Sequence, residues 1–148
     1  MLRNLLLSLA LHLGISMAAI PFYLSSPAAF SLALVMTASF AGYVVLGYKL
    51  LRPIRSGAWS LYSAGAPSMI GLAMGLYFWA FPGMMGFHWM IFLGYNMYAF
   101  ALSSICGFSP RPEGTFWFFA VPSLLMWAGV RLQRYGLTIN RWIEEASK

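Results

Sequence analysis

Long apolar runs that carry almost no ionic side chain set the terms for this chain. No Asp, Glu, Lys or Arg lies between Arg3 and Lys49, and none between Arg55 and Arg111. Charged residues make up 8% of the 148 residues and hydrophobic ones 61%. That charged share is about a third of the globular average. A water-soluble domain of this makeup would leave most of its apolar surface exposed. A bilayer is the solvent that fits, and single segments cross it as helices because each helix satisfies its own backbone. The sequence is therefore read as all-α, a polytopic membrane helix bundle in one transmembrane domain.

Five spans are expected, over about 4–24, 28–50, 60–80, 87–106 and 115–132, followed by an amphipathic surface helix over 133–148. Arg3, an apolar core and Ser16-x-Ala18 resemble a secretory signal, but the apolar stretch runs on to Leu24, long enough for a retained span. Ala10, Gly14 and Ala18 give that span a small-residue edge. Ser8, His12 and Ser16 share the other side, where they can satisfy one another through a neighbouring helix. Ser25, Ser26 and Pro27 form an uncharged turn. Ser31, Ala38 and Gly42 suit a packing seam on the second span, and Tyr43 and Tyr48 approach its interface.

The stretch from Ser60 to Cys106 reads as two spans joined by a turn at Pro82-Gly83. Ser60, Ala64, Ser68, Gly71 and Gly75 fall within a helical sector of roughly 80°. In lipid, close backbone approach at small residues holds helices together, so this stripe is a packing seam within the chain or between subunits. Pro67 is expected to kink that helix near its start. On the returning span, His88, Tyr95, Asn96, Ser103 and Cys106 fall within roughly 100°. Such a face looks into a bundle. It reads either as interhelical hydrogen bonding or as the lining of a path for a ligand or ion.

Lys49, Arg52 and Arg55 form the most basic loop, placed in the cytoplasm by the bias of Lys and Arg, with the N-terminus on the same side. Trp59 and Tyr62 mark the membrane surface. Gly107, Ser109, Pro110, Arg111, Pro112, Glu113 and Gly114 read as a turn. The fifth stretch is broken by Pro122. If it crosses, five Lys and Arg lie inside and four outside, a weak bias. An external tail, a re-entrant or tilted 115–130 segment, or insertion both ways would each account for it. In the tail, Leu132, Tyr135, Ile139, Trp142, Ile143 and Ala146 oppose Arg134, Arg141, Glu144, Glu145 and Lys148, with a bend at Gly136.

The chemistry is sparse. The chain has no Asp, and Glu113, Glu144 and Glu145 are its only acids. No span carries a carboxylate, which ion-coupled pumps usually place there. Hydrolase, zinc-protease and phosphate-loop motifs are missing, so the reading is non-enzymatic, with no metal site. Haem ligation by His12 and His88 is disfavoured, because the two sit at different depths and one iron needs both rings at one level. Cys106, the one cysteine, reads as a buried inert thiol, with S-palmitoylation as the alternative. The net charge of +6 lies beside apolar runs and points to lipid head groups, with no nucleic acid.

The expectation is an integral protein of the plasma (inner) membrane. It is read as a non-enzymatic accessory or structural subunit of a membrane complex, partnered by the bilayer and by other membrane subunits or itself. The alternatives are a small oligomeric transporter or channel, and a protein that binds a quinone, lipid or pigment.

Overall fold

Two apolar helices open the chain and pair along their length. α1 spans Leu2–Ser25 and α2 spans Ala29–Leu50. The computed structural model describes residues 1–25, 28–54, 56–81, 85–107 and 111–146, and among these it is all-α with no strand. The expected turn at Ser26 and Pro27, Arg55 of the basic loop, Pro82-Gly83, Ser109, Pro110 and Lys148 lie outside the described residues, as do the side chains of Arg141, Ile143 and Glu144.

Three segments are long and apolar enough to cross a membrane: Leu2–Ser25, Ala29–Leu50 and Pro112–Ile139. The two middle spans expected from the sequence are not continuous helices. The 60–80 segment divides into α3, Gly57–Ser63, and α4, Ala66–Ala80. Pro67 causes more than the expected kink. It occupies the first turn of α4, where its missing N–H leaves no gap, and the chain breaks just ahead of it at Ala64 and Gly65. The 87–106 segment likewise divides into α5, Met85–Tyr95, and α6, Tyr98–Cys106, at Asn96 and Met97.

The last third also departs from expectation. A short α7, Pro112–Thr115, leads into a 3-10 segment, Phe116–Ala120, and then α8, Val121–Ala146. The irregular stretch precedes Pro122, which sits in the first turn of α8 where proline is tolerated. α8 passes through Gly136 without a break, so residues 133–146 extend one amphipathic helix and do not form a separate one.

Contacts fix which ends lie together. The Arg3 guanidinium donates to the Leu50 carbonyl at 3.0 Å. Asn4 Nδ2 donates to the Arg52 carbonyl at 2.9 Å and to Ser63 Oγ at 3.3 Å, and the Arg52 amide donates back to Asn4 Oδ1 at 3.3 Å. Asn4 thereby ties the start of α1 to the connection between α2 and α3. Arg131 reaches this same basic end, within 3.2 Å of the position a Gly57 Cβ would take. At the far end Trp89 Nε1 donates to Thr115 Oγ1 at 3.0 Å, and Thr115 Oγ1 donates to the Arg111 carbonyl at 2.7 Å.

The closest crossing joins α2 to α8. A Cβ on Gly129 would lie 2.1 Å from the Val44 carbonyl oxygen and 2.7 Å from the Tyr48 nitrogen. A Cβ on Gly47 would lie 2.6 Å from the Met126 carbonyl oxygen. Backbone meets backbone, so no rotamer change can make room. Further on, Pro53 and Ile54 share a cavity with Arg134, Leu137 and Thr138. Contact positions rise together along both segments, so α2 and α8 run the same way. Replacing Gly129 with Val is expected to cost about 3 kcal/mol, the upper range for overpacking, while Gly14→Val, where the added Cβ meets nothing within 4 Å, stays near neutral. Denaturant unfolding in a mild detergent checks the difference.

Candidate functional site

The interior of the bundle is organised by a polar ridge on α1. Asn4, Ser8, His12 and Ser16 recur every fourth residue and are all buried. That spacing stacks them on one helix face. The small edge, Ala10, Gly14 and Ala18, is exposed instead. Both edges could have faced inward; the polar one does, because an unpaired polar group costs more in hydrocarbon than an exposed methyl.

His12 stands at the middle of this ridge with none of its surface exposed. Its Nδ1 lies 2.8 Å from the Tyr43 hydroxyl, either group donating according to the ring tautomer. The Tyr95 ring packs on it at 4.3 Å between centroids and the Tyr43 ring at 5.9 Å. The Tyr95 backbone is a further polar neighbour of the ring, and Nε2 makes no hydrogen bond of normal geometry among the described residues. One turn on, Ser16 Oγ donates to the Tyr95 carbonyl at 2.9 Å.

That carbonyl belongs to the break between α5 and α6, where the helical ladder is interrupted. The residues of the expected polar track gather round this break and do not form one straight face. Tyr95 donates its hydroxyl to the Pro67 carbonyl at 2.9 Å, at the start of α4. Asn96 is fully buried, and its Nδ2 donates to the Phe92 carbonyl at 3.1 Å. The Tyr98 hydroxyl donates to the Phe118 carbonyl and approaches Asn96 Oδ1 at 3.4 Å. Ser103 is buried further along α6. His88 lies apart, half-buried and stacked on Phe78 at 4.9 Å. Cys106 is exposed, which corrects the reading of it as a buried thiol.

The two histidines keep separate company. His12 packs with Tyr43 and Tyr95, and His88 with Tyr77, Phe78 and Phe87. Among the described residues no group of three or more His, Cys, Asp or Glu gathers as a metal site would require.

The stripe of small residues is occupied from within the chain. A Cβ on Gly71 would lie 3.0 Å from Phe119 Cβ, and one on Gly75 would lie 2.8 Å from Phe116 Cε2. Ser68 Oγ donates to the Phe119 carbonyl at 2.7 Å, and the Ser68 amide donates to Ser123 Oγ at 3.3 Å. Ser60 and Ala64 are buried at α3 and at the break after it. Tyr98 and Ser68 donate hydroxyls to two carbonyls of the 3-10 segment, Phe118, which also accepts from the Val121 amide, and Phe119. Neither pairing is visible in sequence, since each joins residues at least twenty positions apart. The second span's seam also shifts: Leu32, Val35, Ser39, Tyr43 and Gly47 form the buried stripe of α2, with Ala38 exposed.

Compared with family models, curated proteins and solved structures, the chain matches none of them. Chemically the site is a set of neutral donors and acceptors that mostly satisfy one another. Combining His12→Leu with Tyr43→Phe is expected to show a coupling energy of about 1 kcal/mol, the range for hydrogen bonds between membrane helices. Strictly additive losses in a double-mutant cycle would mean the two side chains do not interact in the membrane.

Proposed function

We propose that this chain is a non-enzymatic accessory subunit of a membrane complex, integral to the plasma (inner) membrane, with a partner helix seated against α1. One observation carries the reading: α1 buries its polar edge and leaves Ala10, Gly14 and Ala18 facing outward. Beside that edge α1 and α2 enclose an apolar groove of about 260 Å³, lined among others by Ile15, Ala18, Phe22, Leu34 and Ala38. Small residues at every fourth position allow close backbone approach by another transmembrane helix. The other small stripe, on α3 and α4, is filled by the chain itself, which leaves this one for a partner.

The path through the bilayer that fits these contacts has four crossings and one re-entrant hairpin. α1, α2, α3 with α4, and Pro112 to Arg131 make the crossings. α5 and α6 make the hairpin, entering from the end opposite the basic one and turning at Asn96. Two observations support it. Tyr98 packs on Phe40 and Tyr43 at mid-length of α2, while Val44 to Tyr48 beyond them are covered by α8. Met97 packs with Ala19 and Val35, toward the far end.

This path removes the conflict left by five crossings. Arg3, Lys49, Arg52, Arg131 and Arg134 share one end, with the rest of the tail beyond it, and Arg111 stands at the other. By the bias of Lys and Arg toward the cytoplasm, the proposal has both termini there. Cys106 itself provides the test. Maleimide that cannot cross the membrane is expected to label Cys106 in intact cells and to leave a cysteine introduced at Ala146 in a Cys106→Ser background unlabelled until lysis. Labelling of the second and protection of the first would reverse the path.

The partner is tested separately. Gly14→Ile is expected to remove copurifying subunits in mild-detergent pull-downs without moving the unfolding midpoint. Retention of every subunit by this variant would remove the α1 edge from the proposal. A second reading, a small oligomeric transporter or channel, draws on the helix break buried at Asn96, a feature tolerated at membrane depth where protein or a cavity surrounds it. It requires solute flux in liposomes that Asn96→Leu abolishes.

A further inference from the structure

At the basic end, α8 and the segment after α2 enclose a cleft. One lobe, of about 310 Å³, is lined by Arg131, Arg134, Tyr135 and Thr138. The next, of about 520 Å³, is lined by Pro53, Ile54, Arg134, Leu137, Thr138, Trp142 and Glu145. Arg134 and Thr138 belong to both lobes, so the two adjoin. The cleft lies just past the last turn of α2, and Lys49 and Arg52 are exposed beside it.

The walls are amphipathic in a particular way. The Arg131 guanidinium carbon sits 5.6 Å from the Trp127 ring centre and 5.7 Å from that of Tyr135. Two aromatic rings thus hold a half-buried cation in one position, which lowers the ordering cost of binding an anion. Thr138 Oγ1 donates to the Arg134 carbonyl at 3.0 Å, leaving its lone pairs and no second proton, so it is not itself a donor to an anion, whereas arginine and the Tyr135 hydroxyl can donate. Tyr135, Leu137, Ile139 and Trp142 are exposed hydrophobic residues flanking the cleft. Glu145 lines the outer lobe and sets a limit on negative charge there.

An arginine pair at the bilayer edge, an open cavity and an apolar rim match one class of ligand. We propose that this cleft is a binding site for the phosphodiester head group of an anionic phospholipid, with Arg131 and Arg134 on the phosphate. Arginine suits this task because its planar fork meets phosphate oxygens in pairs. The site would also fix the depth of α8, whose amphipathic second half runs past the end of α2. The inference needs only the basic end to lie at a membrane surface. It stands whichever face that is and whether or not a partner binds α1.

The test uses the full chain in a neutral detergent. Short-chain phosphatidylglycerol, phosphatidylcholine and glycerol phosphate are titrated separately, and tryptophan fluorescence is read. Phosphatidylglycerol is expected to bind saturably, with phosphatidylcholine at least tenfold weaker. Arg131→Gln is expected to weaken phosphatidylglycerol binding about tenfold, the loss of one charge-assisted contact. Arg111→Gln removes the same charge at the opposite end and leaves binding unchanged. Equal loss in both variants would reduce the effect to diffuse charge and overturn the site. Glycerol phosphate binding as tightly as the lipid would make it a site for free phosphate esters, which also overturns the proposal. Should Arg131→Gln fail to fold, Arg134→Gln and Thr138→Phe carry the test: the first must weaken binding, and the second, which adds bulk and no charge to the shared wall, must weaken it by obstruction. Full binding by both would sink the idea.

Discussion

Polar atoms inside a bilayer have only one another to bond with. That constraint explains more of this structure than apolar packing does. α1 contributes no ionic group between Arg3 and its end, yet Asn4, Ser8, His12 and Ser16 form its buried face. Ser8 bonds within its own helix, to the Leu5 carbonyl, while the others reach across to Ser63 and the Arg52 backbone, the Tyr43 hydroxyl and the Tyr95 carbonyl. Each such bond is worth on the order of 1 kcal/mol in lipid, but leaving the groups unmade would cost several times that. The ridge therefore selects an arrangement of helices as much as it stabilises one.

Breaks in the backbone are handled by the same rule. Among the described residues three occur in apolar sequence, at Ala64 and Gly65, at Asn96 and Met97, and through Phe116–Ala120. Side-chain hydroxyls sit at each: Tyr95 on Pro67, Ser16 on Tyr95, and Tyr98 and Ser68 on Phe118 and Phe119. Irregular backbone survives at this depth because protein surrounds it. Glycine does the complementary work at the crossing of α2 and α8, where Gly47 and Gly129 admit backbone in place of side chain.

The class of protein was legible from the residues alone, since charge-free runs admit few other media. The first two helices were legible to within a few residues, because uniform apolar sequence interrupted by Ser25-Ser26-Pro27 and ended by the basic loop leaves little choice. Faces were harder to read. On α1 a small edge and a polar edge compete for the interior, and a single sequence does not say that the small one will be left outside. On α2 the seam was assigned to Ser31, Ala38 and Gly42, one position ahead of the buried Leu32, Ser39 and Tyr43. Gly129 carried no signal within its own helix because its counterpart, Gly47, lies on another. The polar residues from His88 to Ser103 were assigned one face on the assumption of a straight helix. The break at Asn96 redistributes them, bringing Tyr95 to His12 and sending His88 to Phe78. The tail's amphipathic pattern was visible, but not that it continues α8 unbroken.

The most direct test of this account is a spin-label scan of residues 8 to 18 in the purified protein, reconstituted alone in lipid nanodiscs with oxygen as the relaxing agent. The account predicts that oxygen collision rates peak at 10, 14 and 18 and fall to minima at 8, 12 and 16. The opposite phase, with the small edge shielded and the polar edge open to lipid, would contradict it.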